Sequence, residues 1–121
     1  MASASPVVLV VEDEPILRMA AVDMVEDTGL TALEAPDAEA ALALLKTRRD
    51  ISLVFTDVQM PGRLDGMRLA DLVRDRWPRI DVIVTSGEIA PGERPMPSGG
   101  VFIPKPYDPE KLAHLMHRLV D

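Results

Sequence analysis

The sequence predicts an α/β fold built on a parallel sheet with helices on both faces. Five short apolar runs carry that reading: VVLVV at 7–11, LTALEA at 30–35, ISLVFT at 51–56, DVIVTS at 81–86 and VFIP at 101–104. Segments of helical periodicity alternate with them. A parallel crossover needs a connection long enough to hold a helix, so this alternation is what a parallel sheet requires. The length, 121 residues, suits one domain with a core over about 6–120 and no room for a second folded module.

Each element has its own local reason. VVLVV is apolar throughout, as expected of a strand covered on both faces. Pro15 fits a first helical turn, and Ile16, Ala20 and Met24 with Leu17, Ala21 and Val25 form a helical stripe that stops before Gly29. LTALEA is a weaker strand. Asp37 then caps a second helix in which Ala38, Ala41, Leu42 and Leu45 share a face, with Lys46, Arg48 and Arg49 placed favourably at its carboxyl end. After ISLVFT, a helix from about Asp65 to Trp77 stops before Pro78, with Trp77 covering its end. DVIVTS and VFIP are the fourth and fifth strands. The last helix takes Asp108 as cap and Pro109 as first residue, with Leu112, Leu115, Met116 and Leu119 inward. The seven methionines read as core filling, and His114 and His117 as a partly exposed helix face rather than half a metal site.

Composition narrows the function. With 13 Lys and Arg against 20 Asp and Glu, the net charge is −7, which disfavours a nucleic-acid or anionic-membrane surface and suits a cation or a basic partner. There are no cysteines, hence no disulfides or thiolate metal sites. No run approaches a membrane span, and MASASP lacks the parts of a secretion signal, so a cytoplasmic location is expected.

In parallel sheets the functional crevice lies beyond the carboxyl ends of the strands. There Glu12 and Asp13 follow the first strand, Asp57 follows the third, Thr85 and Ser86 close the fourth, and Lys105 follows the fifth. Three carboxylates crowded together repel unless a cation neutralises them. Oxygen ligands without His or Cys favour Mg²⁺ or a similar ion. Alone, the Glu12-Asp13 pair reads as a solvated turn and TDVQMPG as a plain turn; the full set, each member at a strand end, carries the argument.

VVEDEP, LVFTDVQMPG, VTSG and FIPKPY resemble the receiver domain of two-component response regulators, the CheY-like family, over nearly the whole chain. The resemblance implies a flavodoxin-like three-layer sandwich with strand order 2-1-3-4-5. It implies that Asp57 is the phosphoacceptor, supplied by a histidine kinase or histidine phosphotransfer protein, in a protein that is no enzyme beyond its own phosphorylation and dephosphorylation. Asp13 would bind Mg²⁺ directly, with Glu12 beside it partly through water, and Asp57 and the backbone carbonyl of Gln59 would complete the protein ligands. Lys105 would pair with the phosphoryl oxygens. A hydroxyl closing the fourth strand would move toward the phosphoryl group: Ser86 by the match of Gly87 to the small residue that follows it, Thr85 as runner-up. Phe102 occupies the aromatic switch position, with a plain core role equally open, and Lys105-Pro106 is expected to be cis.

Two departures stand out. PGRLDG has one residue more than the family spacing, and Pro91, Pro95 and Pro97 fall where the family has its fourth helix, which is therefore expected to be absent or vestigial. A polyproline ligand is the weaker reading of that stretch. Gln59 and Glu88 flank the site and are candidates to tune the phosphoryl lifetime. The expected output is contact with an unknown downstream protein, by a monomer or weak dimer, with no DNA-binding module following Asp121. A phosphate sink and the detached receiver of a hybrid kinase are alternatives. An Asp-nucleophile phosphatase would want an acid where Gln59 stands, and a docking-only domain would not need all of Glu12, Asp13, Asp57 and Lys105.

Overall fold

The computed structural model describes residues 6–58, 66–86 and 100–120. Its elements are β1 (Val7–Val11), α1 (Pro15–Asp27), β2 (Thr31–Ala35), α2 (Ala38–Thr47), β3 (Ile51–Asp57), α3 (Gly66–Arg76), β4 (Asp81–Ser86), β5 (Gly100–Pro104) and α4 (Pro109–Val120). The strands form one parallel sheet in the order β2-β1-β3-β4-β5, as the resemblance implied.

Side-chain alternation along the strands makes two cores. Val8 and Val10 of β1, Leu53 and Phe55 of β3 and Ile83 of β4 meet Ala21 and Val25 of α1 and Leu112 and Met116 of α4 on one face. Leu9 and Val11, Val54, and Val82 and Val84 meet Ala38, Ala41 and Leu45 of α2 and Leu69, Ala70 and Val73 of α3 on the other. All five residues of β1 are buried, so this strand is the seam of both cores. Burial of each such side chain stabilises by about 1.5–3 kcal/mol, so a polar residue there would open one core or the other.

The caps are where the sequence placed them. Asp37 Oδ1 accepts the Ala40 N–H at 2.7 Å and Asp108 Oδ1 accepts the Glu110 N–H at 2.9 Å. Gly29, with φ at 91°, turns the chain after α1 where a side chain would be strained. His117 adds a tie that its spacing did not suggest: Nε2 donates to the Thr28 carbonyl at 2.9 Å and holds α4 against the end of α1.

The inward stripe of α1 needs correction. Ala21 and Val25 are buried and Val22 and Met24 partly so, but Ile16 is 74% exposed, Leu17 50% and Met19 63%. The first turns of α1 overhang the sheet edge, so their apolar residues have no core to enter, and Met19 is not core filling. A fourth helix in chain order is present, α4, following β5. The expectation of an absent or vestigial helix between β4 and β5 falls on residues 87–99, and that of a reshaped loop on 59–65, both outside the described residues.

Strand order reverses direction between β1 and β3, and the crevice at such a switch point opens beyond their carboxyl ends. Glu12 and Asp57 stand there.

Candidate functional site

Glu12 extends β1 by one residue, its N–H donating to the Ala35 carbonyl at 3.1 Å. Its Oε2 accepts the Glu14 N–H at 3.1 Å and its carbonyl accepts Arg18 Nη1 at 2.9 Å, while Arg18 Nε pairs with Glu34 at 2.9 Å. The carboxylate is thus fixed in place and only 7% of the residue is exposed. Burial pushes its pKa from 4.5 to about 7; the Glu14 N–H opposes the rise, the Asp57 and Asp13 carboxylates add to it, and Lys105 opposes it.

Asp57 ends β3, paired in register with Thr85 of β4. The Val58 N–H donates to the Thr85 carbonyl at 3.0 Å, and the Gly66 N–H to the Val58 carbonyl at 2.8 Å. A Cβ on Gly66 would overlap the Asp57 carbonyl, so only glycine lets α3 start this close to the end of β3.

Lys105 reaches the same place from β5. Its N–H donates to the Ser86 carbonyl at 3.0 Å and the Lys105-Pro106 peptide is cis, as expected. Its Nζ lies 2.7 Å from Asp57 Oδ2 and 3.8 Å from Glu12 Oε1. Burial works against the ammonium, but the hydrogen bond it donates to Asp57 and the charges of Asp57 and Glu12 outweigh it and raise the pKa above the ordinary lysine value.

Glu12, Asp57, Thr85 and Lys105 form the polar end of a cavity of about 400 Å³ whose walls include Leu17, Ala20, Phe55 and Tyr107. Tyr107 packs edge-on to Phe55, ring centroids 5.8 Å apart, and burial raises its pKa. Thr85 Oγ1 is buried without a hydrogen-bond partner among the described residues. Ser86 is 2% exposed; by strand alternation it shares the face of Val82 and Val84, where Phe102 packs half-buried opposite Val84. The two candidate hydroxyls therefore serve different faces: Thr85 lines the cavity, and Ser86 lies on the face of Phe102.

The structure thus brings Glu12, Asp57, Thr85 and Lys105 together at one crevice and places Asp13 exposed beside it. Gln59, Gly87 and Glu88 lie outside the described residues. Among the described residues, no three carboxylate or imidazole groups are already gathered as a metal cage. The ammonium of Lys105 instead bridges Asp57 and Glu12, as charge balance between two crowded carboxylates demands. The donor set remains hard oxygen on a buried, clamped carboxylate and its neighbours, which fits Mg²⁺. Sequence reasoning missed Arg18, Gly66 and Tyr107. Arg18 reads as polar helix surface, Gly66 as turn composition, and Tyr107 stood in the FIPKPY motif without a role.

Among the described residues, no helix is long and apolar enough to cross a membrane. The family model described as the response regulator receiver domain matches residues 8–117. The nitrogen assimilation regulatory protein NtrX of Azorhizobium caulinodans is 33% identical over 118 residues, covering 94% of this chain and 26% of NtrX, so the chain corresponds to about a quarter of that relative. The solved receiver domain of the hybrid histidine kinase CckA is 32% identical, with a TM-score of 0.79, covering 95% of this chain and 99% of that one. The response regulator TrrA of Thermotoga maritima, solved in complex with Mg²⁺ and beryllofluoride, has the same fold at a TM-score of 0.84 and 22% identity, covering 93% and 97% of the two chains.

Proposed function

This chain belongs to the response regulator receiver domain family, and on that premise we propose that Asp57 is its phosphoacceptor, with Glu12, Asp13 and Lys105 as the supporting charges. The observation that carries the assignment is the convergence of residues from three strand ends: Lys105 Nζ sits 2.7 Å from Asp57 Oδ2 and 3.8 Å from Glu12 Oε1. In the transfer, a carboxylate oxygen of Asp57 forms a bond to the phosphorus of a phosphohistidine donor, and the donor imidazole leaves with the electron pair of the broken P–N bond. Catalysis of such a step is mainly positioning and charge neutralisation.

The chain supplies both. The β3–β4 pairing and the close approach of Gly66 fix the Asp57 backbone. Lys105 is protonated and already in contact, placed to pass from the carboxylate to the incoming phosphoryl oxygens. Glu12, Asp13 and Asp57, with the Gln59 carbonyl, would hold Mg²⁺, which when bound neutralises charge on the transferring group. Ser86 and Phe102 share one face of the sheet, which supports Ser86 as the switch hydroxyl and Phe102 as the side chain that responds.

The donor is a histidine kinase or phosphotransfer protein. Ile16, Leu17 and Met19, exposed on α1 with Leu17 also lining the Asp57 cavity, form an apolar surface beside that cavity and offer a place for it to dock. We place the protein in the cytoplasm, where such donors present their histidines, and its output in protein contact.

The test is incubation with Mg²⁺ and acetyl phosphate. The reading expects one hydroxylamine-labile phosphoryl group per chain by intact mass, absent in Asp57→Asn and absent without Mg²⁺. Continuous release of phosphate from many phosphoesters would favour a phosphatase, and no modification a docking domain.

A further inference from the structure

At the opposite, amino-terminal edge of the sheet, the ends of α2, α3 and α4 and the starts of β3 and β4 line a groove of about 690 Å³. Lys46, Arg48, Arg49, Arg76 and Arg79 line it, with Trp77 in its wall. Five of the 13 basic residues of a chain with net charge −7 thus face one concavity. We propose that this groove binds a small phosphorylated ligand bearing a flat ring, a nucleotide.

Helix ends explain part of the charge, since the carboxyl terminus of a helix carries about half a negative charge and attracts a cation. That accounts for roughly one and a half of the five over three helices, α4 included because Leu119 and Val120 also line the groove. Arg48 is taken up by Asp50, with contacts of 3.0 and 2.6 Å. Lys46, Arg49, Arg76 and Arg79 have no ion-pair partner among the described residues. The groove lining contains a single carboxylate, Asp81. Four cations less that carboxylate and the three helix ends leave a balance of roughly one and a half positive charges, the complement of a phosphate group and part of a second.

The cationic turn is also ordered in advance. The Trp77 N–H donates to the Val73 carbonyl at 2.8 Å, the Ile80 N–H to the Trp77 carbonyl at 2.9 Å, and Arg74 Nη1 to the Ile80 carbonyl at 2.7 Å. Trp77 itself packs half-buried against the α2–α3 core, which fixes the indole in the groove wall. A preorganised site loses less entropy on binding. A nucleic acid would need a broad positive field, which a net charge of −7 denies it. An acidic peptide would make no use of a concave site with an aromatic wall.

Trp77 is the only tryptophan of the chain and reports on the groove directly. β3 runs from Ile51 at the groove to Asp57 at the acceptor site, roughly 20 Å away, so the two sites can be read separately. The experiment titrates the protein with ADP and GDP, in EDTA to keep phosphates from the acidic site, by calorimetry, and follows Trp77 fluorescence with pyrophosphate as competitor. Saturable binding of a diphosphate, displaced by pyrophosphate, is expected. It should weaken about tenfold for each cation removed in Arg49→Gln and Arg79→Gln. Phosphorylation of Asp57 from acetyl phosphate should stay unchanged in both variants. No saturable binding, undiminished binding by Arg49→Gln and Arg79→Gln, or binding of polyglutamate or an oligonucleotide in place of nucleotides would overturn the proposal.

Discussion

Lys105 Nζ and Asp57 Oδ2 stand 2.7 Å apart, although 48 residues separate them along the chain. The pair is held by two independent strand ends, and the same ammonium faces Glu12 at 3.8 Å. Lys105 thus serves in the unphosphorylated protein as the counter-charge of the acidic site. Lys105→Ala should slow phosphorylation from acetyl phosphate by about 10²-fold, the usual effect of removing one charge-stabilising donor. It should also tighten Mg²⁺ binding, because a competing cation is gone. Stopped-flow phosphorylation and a Mg²⁺ titration of the variant measure both.

Glu12 gives the protein a pH dependence of known sign. Its pKa lies near 7 in the folded protein and 4.5 ordinarily, so between those values the folded state binds more protons than the unfolded state. Stability in the absence of divalent ions should therefore fall as pH rises from about 4.5 to 7 and level off above. Urea unfolding in EDTA across that range should show the decline in the wild type and a shallower one in Glu12→Gln.

The two hydroxyls at the end of β4 should separate cleanly. Thr85 Oγ1 is buried without a partner among the described residues, and such a group costs about 1–3 kcal/mol. Thr85→Val should stabilise the unphosphorylated protein by about 1 kcal/mol and leave the conformational response intact. Ser86→Ala should still accept phosphate on Asp57 but lose the response at Phe102, read from its ring resonances with and without beryllofluoride. The reverse pattern would make Thr85 the switch.

Gly66→Ala should destabilise the fold by about 1–3 kcal/mol, because its Cβ meets the Asp57 backbone rather than a flexible side chain. Chemical denaturation gives the loss, and the amide resonances of Asp57 and Val58 should shift.

Much of this arrangement was legible because it is local. VVLVV, DVIVTS and the Asp37 and Asp108 caps each announce themselves within a few residues, and the observed strands and helices follow them closely. That Glu12, Asp57 and Lys105 would come together was legible because parallel topology sends every strand's carboxyl end to one edge. What failed depended on neighbours. The periodicity of α1 is satisfied equally by Ile16 and Leu17 and by Ala21 and Val25, and only the overhang of the first turns decides which pair is buried. The need for glycine at 66 and the clamp of Arg18 on Glu12 arise from contacts that no spacing reveals. Alternation puts Thr85 and Ser86 on opposite faces, but spacing does not say which of them faces the cavity until the packing around β4 is known.

The central claim is that the carboxylates at the ends of β1 and β3 act together on a divalent ion so that Asp57 can take a phosphoryl group. Mapping the modified residue after treatment with acetyl phosphate, across a Mg²⁺ titration, tests it most directly. The account predicts an acyl phosphate on Asp57 alone, with a Mg²⁺ requirement that weakens in affinity in Asp13→Asn. Modification elsewhere, or labelling of Asp57 that ignores Mg²⁺, would contradict it.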